Sequence, residues 1–218
     1  PERACAQGWI SPRAMRNGII VTVLFACLIG SALLFYAGWE LIIVGLLCVL
    51  FAFLYTTGPY PLSYNGWGDV LVIVFFGFVP VGGTYYVQAL TWTSDTTVAS
   101  LICGLLIDTL LVVNNYRDRE ADARSGKRTV IVRFGEKFGR YLYLMLGVAA
   151  SLLCFWFFFE GHLFAALLPL LYLIPHVLTW RRMVQIHSGK KLNSILGETS
   201  RNMLLMGILL SIGFLIRH

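Results

Sequence analysis

Residues 97–115 read TVASLICGLLIDTLLVVNN, and residues 116–129 continue YRDREADARSGKRT. The first stretch holds a single charged residue, Asp108, and the second is mostly charged. An apolar run of about 20 residues, rising 1.5 Å per residue, crosses the hydrocarbon core of a bilayer. Residues 97–115 therefore predict a spanning helix that runs out into a charged loop, 116–139. Working outward, residues 18–36, 39–56, 70–88, 140–159, 163–180 and 202–216 are runs of the same kind, which makes seven spans in one membrane domain over 1–218. None alternates with period two, so a β-barrel is excluded. The fold class that follows is all-α, a polytopic transmembrane helical bundle. Pro80, Pro169 and Pro175 lie inside spans and predict kinks, tolerated in membranes where neighbours satisfy the freed carbonyls.

Composition agrees. Of 218 residues 58% are hydrophobic and 13% charged, with a mean hydropathy of +0.75. Soluble domains carry roughly 25% charged residues, so an ordinary soluble enzyme, a disordered chain and a disulfide scaffold are all excluded. Cys27, Cys48, Cys103 and Cys154 sit in apolar runs, and with Cys5 the count is odd; this reads as reduced thiols. The first residues show no short cleavable leader. A net charge of +6 invites a nucleic-acid reading, but the placement of the charges argues otherwise. Sixteen of the seventeen Lys and Arg residues fall ahead of the first span, in 117–140, or in 181–201; Arg217 alone falls opposite. That is the positive-inside bias. It predicts an integral protein of the cell inner membrane, with the N-terminus and both basic loops cytoplasmic and the C-terminus outside. Its partner is the lipid bilayer, with no nucleic acid.

If the helix of 97–115 continues past the membrane surface, Asn114, Asp118 and Asp122 fall at i, i+4 and i+8 on one face, about 6 Å apart per step. Hard oxygens at that spacing suit Mg²⁺, which takes one or two carboxylates and fills its octahedron with water and substrate phosphate. Lys127 and Arg128 follow at once and could hold the same phosphates. Asn115 and Asp108 lie on a neighbouring stripe. The blander alternative is a solvated helix laced with i,i+4 ion pairs. Against it stands Asp108, since a carboxylate near the bilayer centre costs at least about 2.5–3.5 kcal/mol and usually faces a polar cavity. A proton-relay role for Asp108 stays open. The loop 56–69, TTGPYPLSYNGWGD, is either a turn with interfacial aromatics or a lid over an aromatic substrate, with Tyr64 and Asn65 the residues to contact it. In 82–88, GGTYYVQ, the glycines suit close helix packing; Tyr85 is a candidate cavity residue.

The combination of Asn114-Asn115, Asp118 to Asp122 and Gly126-Lys127-Arg128-Thr129 resembles the second aspartate-rich motif of the UbiA-type intramembrane aromatic prenyltransferases. Residues 58–69 and 82–88 are similar to the branch acting on 1,4-dihydroxy-2-naphthoate in menaquinone synthesis. The resemblance implies nine helices around a cavity, with two facing aspartate motifs holding Mg²⁺ on a polyprenyl diphosphate. It further implies alkylation of dihydroxynaphthoate with loss of its carboxylate, giving demethylmenaquinone. Asp118 and Asp122 match the metal ligands, with Asn114 beside them; Lys127 matches a diphosphate contact, with Asn115 and Arg128 as helpers. Seven spans and one motif, in place of nine and two, imply that two spans and half the metal site would precede Pro1. The rivals are other UbiA-type enzymes acting on 4-hydroxybenzoate or homogentisate, and a secondary transporter using Asp108, for which an inverted repeat is not seen. The CDP-alcohol phosphotransferases share membrane-edge aspartates, but Ala121–Arg124 is only a fragment of their pattern.

Overall fold

The computed structural model describes residues 4–5 and 7–216, and among these every regular element is helical. Arg3, Arg217 and part of the opening segment lie outside the described residues. In chain order the elements are α1 (Pro12–Phe35), α2 (Glu40–Thr56), α3 (Gly68–Ala89), α4 (Ser94–Arg124), α5 (Val130–Phe134), α6 (Glu136–Phe159), α7 (Leu163–Ile186) and α8 (Leu192–Leu215). Six of them, all but α2 and the short α5, are long and apolar enough to cross a membrane. The sequence reading had seven: the run at 39–56 forms α2, which at 17 residues is the shorter one. Its length, about 25 Å at 1.5 Å per residue, falls short of a hydrocarbon core of about 30 Å.

Contacts divide the chain into two compact units, Pro1–Phe53 and Leu54–His218. In the first, α1 starts at Ser11, whose hydroxyl accepts from the Ala14 amide at 3.2 Å, with Pro12 in the first turn. Ser11 is the preferred kind of cap and Pro12 costs no hydrogen bond there. Neither α1 nor α2 buries a residue.

In the second unit α4 is the central post. It packs on α3, α6 and α8, and half of its apolar window is buried. Its approach to α3 is backbone to backbone: a Cβ on Gly77 would meet Gly104 Cα at 2.7 Å, and one on Gly104 would meet Ile73 O at 2.9 Å. Two apolar cores flank the post. Val112, Tyr116, Ile131, Tyr143, Met183 and Ile195 fill one end, and Ile102, Phe157, Ala165, Tyr172 and Met206 the other.

The three prolines lie where the helix leaves or resumes regular α geometry. Pro80 lies in a wide-turn π stretch, Ile73–Gly82, within α3. Pro169 lies in a tight 3-10 stretch, Leu168–Tyr172, within α7. Pro175 falls in the first turn of the α-helical remainder, Leu173–Ile186, where amides go unpaired anyway. The last span starts at Leu192, ten residues ahead of its sequence reading. Its polar first turns are satisfied internally: Glu198 bonds Arg182 at 2.7 Å, and Asn202 donates to Thr179 at 2.9 Å. The five cysteines are free thiols, as read.

Three loops meet at one end of this unit. Arg117 Nη1 donates to Asn193 Oδ1 at 2.9 Å, His187 Nε2 lies 3.0 Å from Glu136 Oε1, and the Arg128 amide donates to Tyr64 O at 2.8 Å.

Candidate functional site

Helix α4 has no break between its apolar half and its charged half. It runs 31 residues from a Thr93 cap, whose hydroxyl accepts from Thr96 N, to Arg124, and the chain turns at Gly126 with φ +76°. The spacing read from sequence therefore becomes geometry, with Asn114, Asp118 and Asp122 stacked on one face over about 12 Å.

What those oxygens do is visible in their partners. Arg117 donates Nη2 to Asn114 Oδ1 and to Asp118 Oδ2, both at 2.7 Å, and Nε to Asp118 Oδ1 at 2.7 Å. Asn114 and Asp118 thus converge on a single cation, the arrangement a divalent ion would need from them. Asp122 Oδ2 is engaged by Lys127 Nζ at 3.2 Å, with both side chains largely covered. Lys127 comes back over the helix because its own amide donates to Asp122 O at 2.9 Å, closing the turn.

Beside this stripe lies a small polar cleft of about 10 Å³, room for about one water. Tyr55, Ser63, Asp69, Asn115, Lys127 and Thr129 contribute to its lining. Asn115, 3% exposed, brings α4 into it, and Lys127 joins it to the Asp122 end of the stripe. The 57–67 loop closes the cleft from above. Ser63 Oγ donates to Tyr55 O at 2.6 Å, Asn65 Nδ2 to Pro61 O at 2.8 Å, and Arg133 Nη2 to Asn65 O at 2.8 Å. Gly66 adopts φ +82°, and a Cβ built on it would lie 3.1 Å from Arg128 O, so a side chain there is strained on both counts.

Two carboxylates belong to this region: Asp69 in the cleft wall and Asp108 deeper on α4. Asp108 is 1% exposed, and its Oδ1, like Oδ1 of Asp69, has no hydrogen-bond partner among the described residues. The two act on one another electrostatically, and both act on the Tyr55 hydroxyl. An unpartnered buried carboxylate oxygen is costly, so this pair marks a place built for something other than stability.

The sequence-read residues sort as follows. Asn114, Asp118, Asp122 and Lys127 come together, Asn115 lines the adjoining cleft, and Asp108 lies deeper on the same helix. Tyr64 and Asn65 join the cleft's roof through backbone carbonyls, while the Tyr64 ring is 42% exposed. The Arg128 side chain is exposed, and its amide makes the contact. Tyr85 is at the far end of α3, beyond the whole π stretch from Asp69. There Gly82 leaves room for the Trp92 ring and a Cβ on Gly83 would meet nothing within 4 Å, so these glycines seat a side chain and not a neighbouring helix.

Asp69, Tyr55 and Asn193 are additions that the sequence reading missed. Only Asp69 had a local signal, a carboxylate opening an apolar run. A neighbouring network takes the remaining charges out of contention. Tyr116 donates to Glu136 at 2.9 Å, Arg119 and Arg140 both bond Glu136, and Arg119 lies 4.6 Å over the Tyr116 ring. These residues tie α4 to α6 and leave the site to Arg117 and Lys127. Among the described residues no group of three or more His, Cys, Asp or Glu converges as a metal site by itself. The stripe supplies two carboxylates and an amide, the small ligand set that Mg²⁺ shares with water and phosphate.

Comparison with known proteins points the same way. The model of the UbiA prenyltransferase family matches residues 1–211. A 1,4-dihydroxy-2-naphthoate octaprenyltransferase of Haemophilus influenzae is 36% identical over 99% of this chain and 72% of its own length. Its namesake in Escherichia coli is 38% identical over 71% of this chain and 52% of its own length, and that of Mycobacterium tuberculosis 37% over 71% and 53%. The chain thus spans 72% of the first of these relatives and about half of the other two. No solved structure matches.

Proposed function

The chain belongs to the UbiA prenyltransferase family, and from that premise we propose that it transfers a polyprenyl group from polyprenyl diphosphate to 1,4-dihydroxy-2-naphthoate. The ring carboxylate is lost and the demethylmenaquinone skeleton forms. The observation that carries this reading is the convergence of Asn114 and Asp118 on one cation, next to a lysine that reaches back over Asp122. It is supported by relatives of that name at 36–38% identity.

In this reading the donor's allylic C–O bond breaks heterolytically and its electron pair leaves with diphosphate. The ring then gives a pair to the allylic carbon, and loss of CO2 returns a pair to the ring. Asn114, Asp118 and Asp122 would hold Mg²⁺, which when bound neutralises the charge growing on the departing diphosphate. Lys127 sits where the end of the stripe opens into the cleft and contacts diphosphate oxygens directly; a charge placed in advance where charge develops lowers the barrier most. Arg117, released from Asn114 and Asp118, has a phosphate as its natural next partner. The 57–67 loop, pinned to Arg128 and Arg133, keeps water from the allylic cation over the Asp69–Asn115 cleft. The three loops lie on the cytoplasmic side of the cell inner membrane and the C-terminus lies outside.

The test uses the protein expressed from its complete natural reading frame and reconstituted in vesicles with dihydroxynaphthoate, a polyprenyl diphosphate and Mg²⁺. Prenylated, decarboxylated product is expected, together with loss of turnover by orders of magnitude in Asp118→Asn and in Asp122→Asn and with normal membrane insertion. Near-normal turnover in both variants removes the metal-site assignment. Turnover with 4-hydroxybenzoate but not the naphthoate removes the acceptor.

A further inference from the structure

On the face of α7 and α8 lies a second and larger cavity, about 380 Å³, which shares no lining residue with the cleft at Asp69. Its wall changes character along α7. Pro175 and Leu178 come first, followed by Arg181, Arg182 and Gln185; α8 adds Glu198 and Arg201. On α7, residues 178, 181, 182 and 185 share one face, and the passage from Pro175 to Gln185 covers about 15 Å at helical rise.

The charge balance inside the cavity is uneven. Glu198 is already engaged, by Arg182 at 2.7 Å and by the Thr179 hydroxyl at 3.4 Å. Thr179 is in turn fixed by Asn202 at 2.9 Å. Arg181 and Arg201 form no ion pair among the described residues. Two guanidinium groups therefore line the same hollow from two helices while its carboxylate, Glu198, is held by Arg182, and an apolar ramp leads away from them. Leu178 is 54% exposed and Ile174, on the same helix, is 63% exposed. In a membrane-spanning helix such side chains meet acyl chains rather than water. The arginines lie towards the end of the bundle where the basic loops meet, the depth at which lipid headgroups lie.

We infer that this cavity binds an anionic glycerophospholipid, its phosphate held between Arg181 and Arg201 and its glycerol and first acyl carbons laid along Leu178 and Pro175. Guanidinium groups bind phosphate in a bidentate, charge-assisted manner. A cavity of this size holds a headgroup and glycerol, with the tails left to the bilayer. Gln185 donates to the glycerol or headgroup oxygens. The Glu198–Arg182 pair acts as a fixed rear wall, since a single extra arginine cannot be pulled from it without stranding a largely buried carboxylate. The assignment is independent of the prenyl-transfer reading, because it uses neither the aspartate stripe nor its cleft.

The experiment measures phosphatidylglycerol retention on the complete protein by native mass spectrometry from neutral detergent, and thermal stabilisation by the same lipid. Phosphatidylcholine and inorganic phosphate serve as separate arms. One tightly retained phosphatidylglycerol is expected, with stabilisation that phosphatidylcholine and millimolar phosphate do not give. The double variant Arg181→Ala/Arg201→Ala should bind it about 30-fold more weakly, as expected for two interfacial charges. Arg181→Lys/Arg201→Lys keeps the charge but loses the bidentate fork, so it should bind between the wild type and the alanine pair, which separates loss of charge from misfolding. Arg13→Ala/Arg16→Ala, which removes the same charge from α1, should change nothing. Equal weakening by the α1 pair would reduce the effect to general surface charge and overturn the inference. So would retention unchanged in the alanine pair, stabilisation by inorganic phosphate alone, or a cavity in the complete protein that takes up no lipid because another segment of the chain covers it.

Discussion

At the scale of single residues, Arg117 and Lys127 decide how the acidic stripe rests. Two carboxylates and an amide stacked over about 12 Å would repel one another if left bare. The chain supplies each carboxylate with its own cation, at 2.7 Å for Asp118 and 3.2 Å for Asp122. Lys127 is the more exposed to exchange, since it has a single polar partner and lines the cleft as well. Lys127→Ala should therefore raise the KM for prenyl diphosphate by about 10- to 100-fold, the worth of one charge-assisted hydrogen bond, and leave the acceptor KM within about twofold. Steady-state kinetics with each substrate varied in turn checks this; a loss confined to the acceptor would remove Lys127 from the diphosphate. The stripe itself was legible in sequence, because four-residue spacing needs only a helix to become a shared face. Its partners were not equally legible. Lys127 follows within five residues of Asp122, whereas Asn193 approaches Arg117 from 76 positions away. Asp69 meets Asp108 only because α3 is packed on α4.

Elements come next, and the contact of α3 with α4 is the one that positions the site. A Cβ on Gly104 would lie 2.9–3.0 Å from the Ile73 backbone, so the methyl of Gly104→Ala meets atoms that cannot swing aside. The two helices must separate, which costs about 1–3 kcal/mol as overpacking and carries Asp69 away from Asp108. Gly207→Ala in α8, where a Cβ meets nothing within 4 Å, should instead be neutral or stabilising by about 0.5–1 kcal/mol. Thermal midpoints of both variants in the same detergent separate a packing glycine from an idle one, and equal midpoints would contradict the close approach. Hydropathy located all the long helices, since the bilayer imposes a length that the sequence must meet. It misjudged ends that polar residues extend. Helix α8 starts ten residues early because Glu198 and Asn202 find partners on α7, which no local pattern announces.

For the whole molecule the question is which side the gathered loops face. Sixteen of seventeen basic residues stand on one face of the topology read from sequence, and three loops do meet at one end of the Leu54–His218 unit. In a cysteine-free background, Ser125→Cys should react with a membrane-impermeant maleimide only from the cytoplasmic side, and Glu160→Cys only from the opposite side. The reverse pattern would invert the orientation and place the aspartate stripe outside. The all-helical architecture was thus readable from apolar length, which the bilayer enforces. The arginine-lined hollow on α7 and α8 was not, because its residues read singly as the ordinary positive charge of a loop.

The π stretch of α3 has a consequence for anyone counting along that helix. Each wide turn uses more residues than an α turn, so rotation per residue falls behind the usual 100° throughout Ile73–Gly82. By Gly83 the helix has lost phase, and a wheel drawn from Asp69 assigns Tyr85 and Gln88 to directions they do not face. The two ends of α3 are set at an angular offset that depends on the exact number of residues between them. A one-residue deletion between Gly77 and Gly82 would remove no residue of the cleft and still turn the far end of the rod to a new heading.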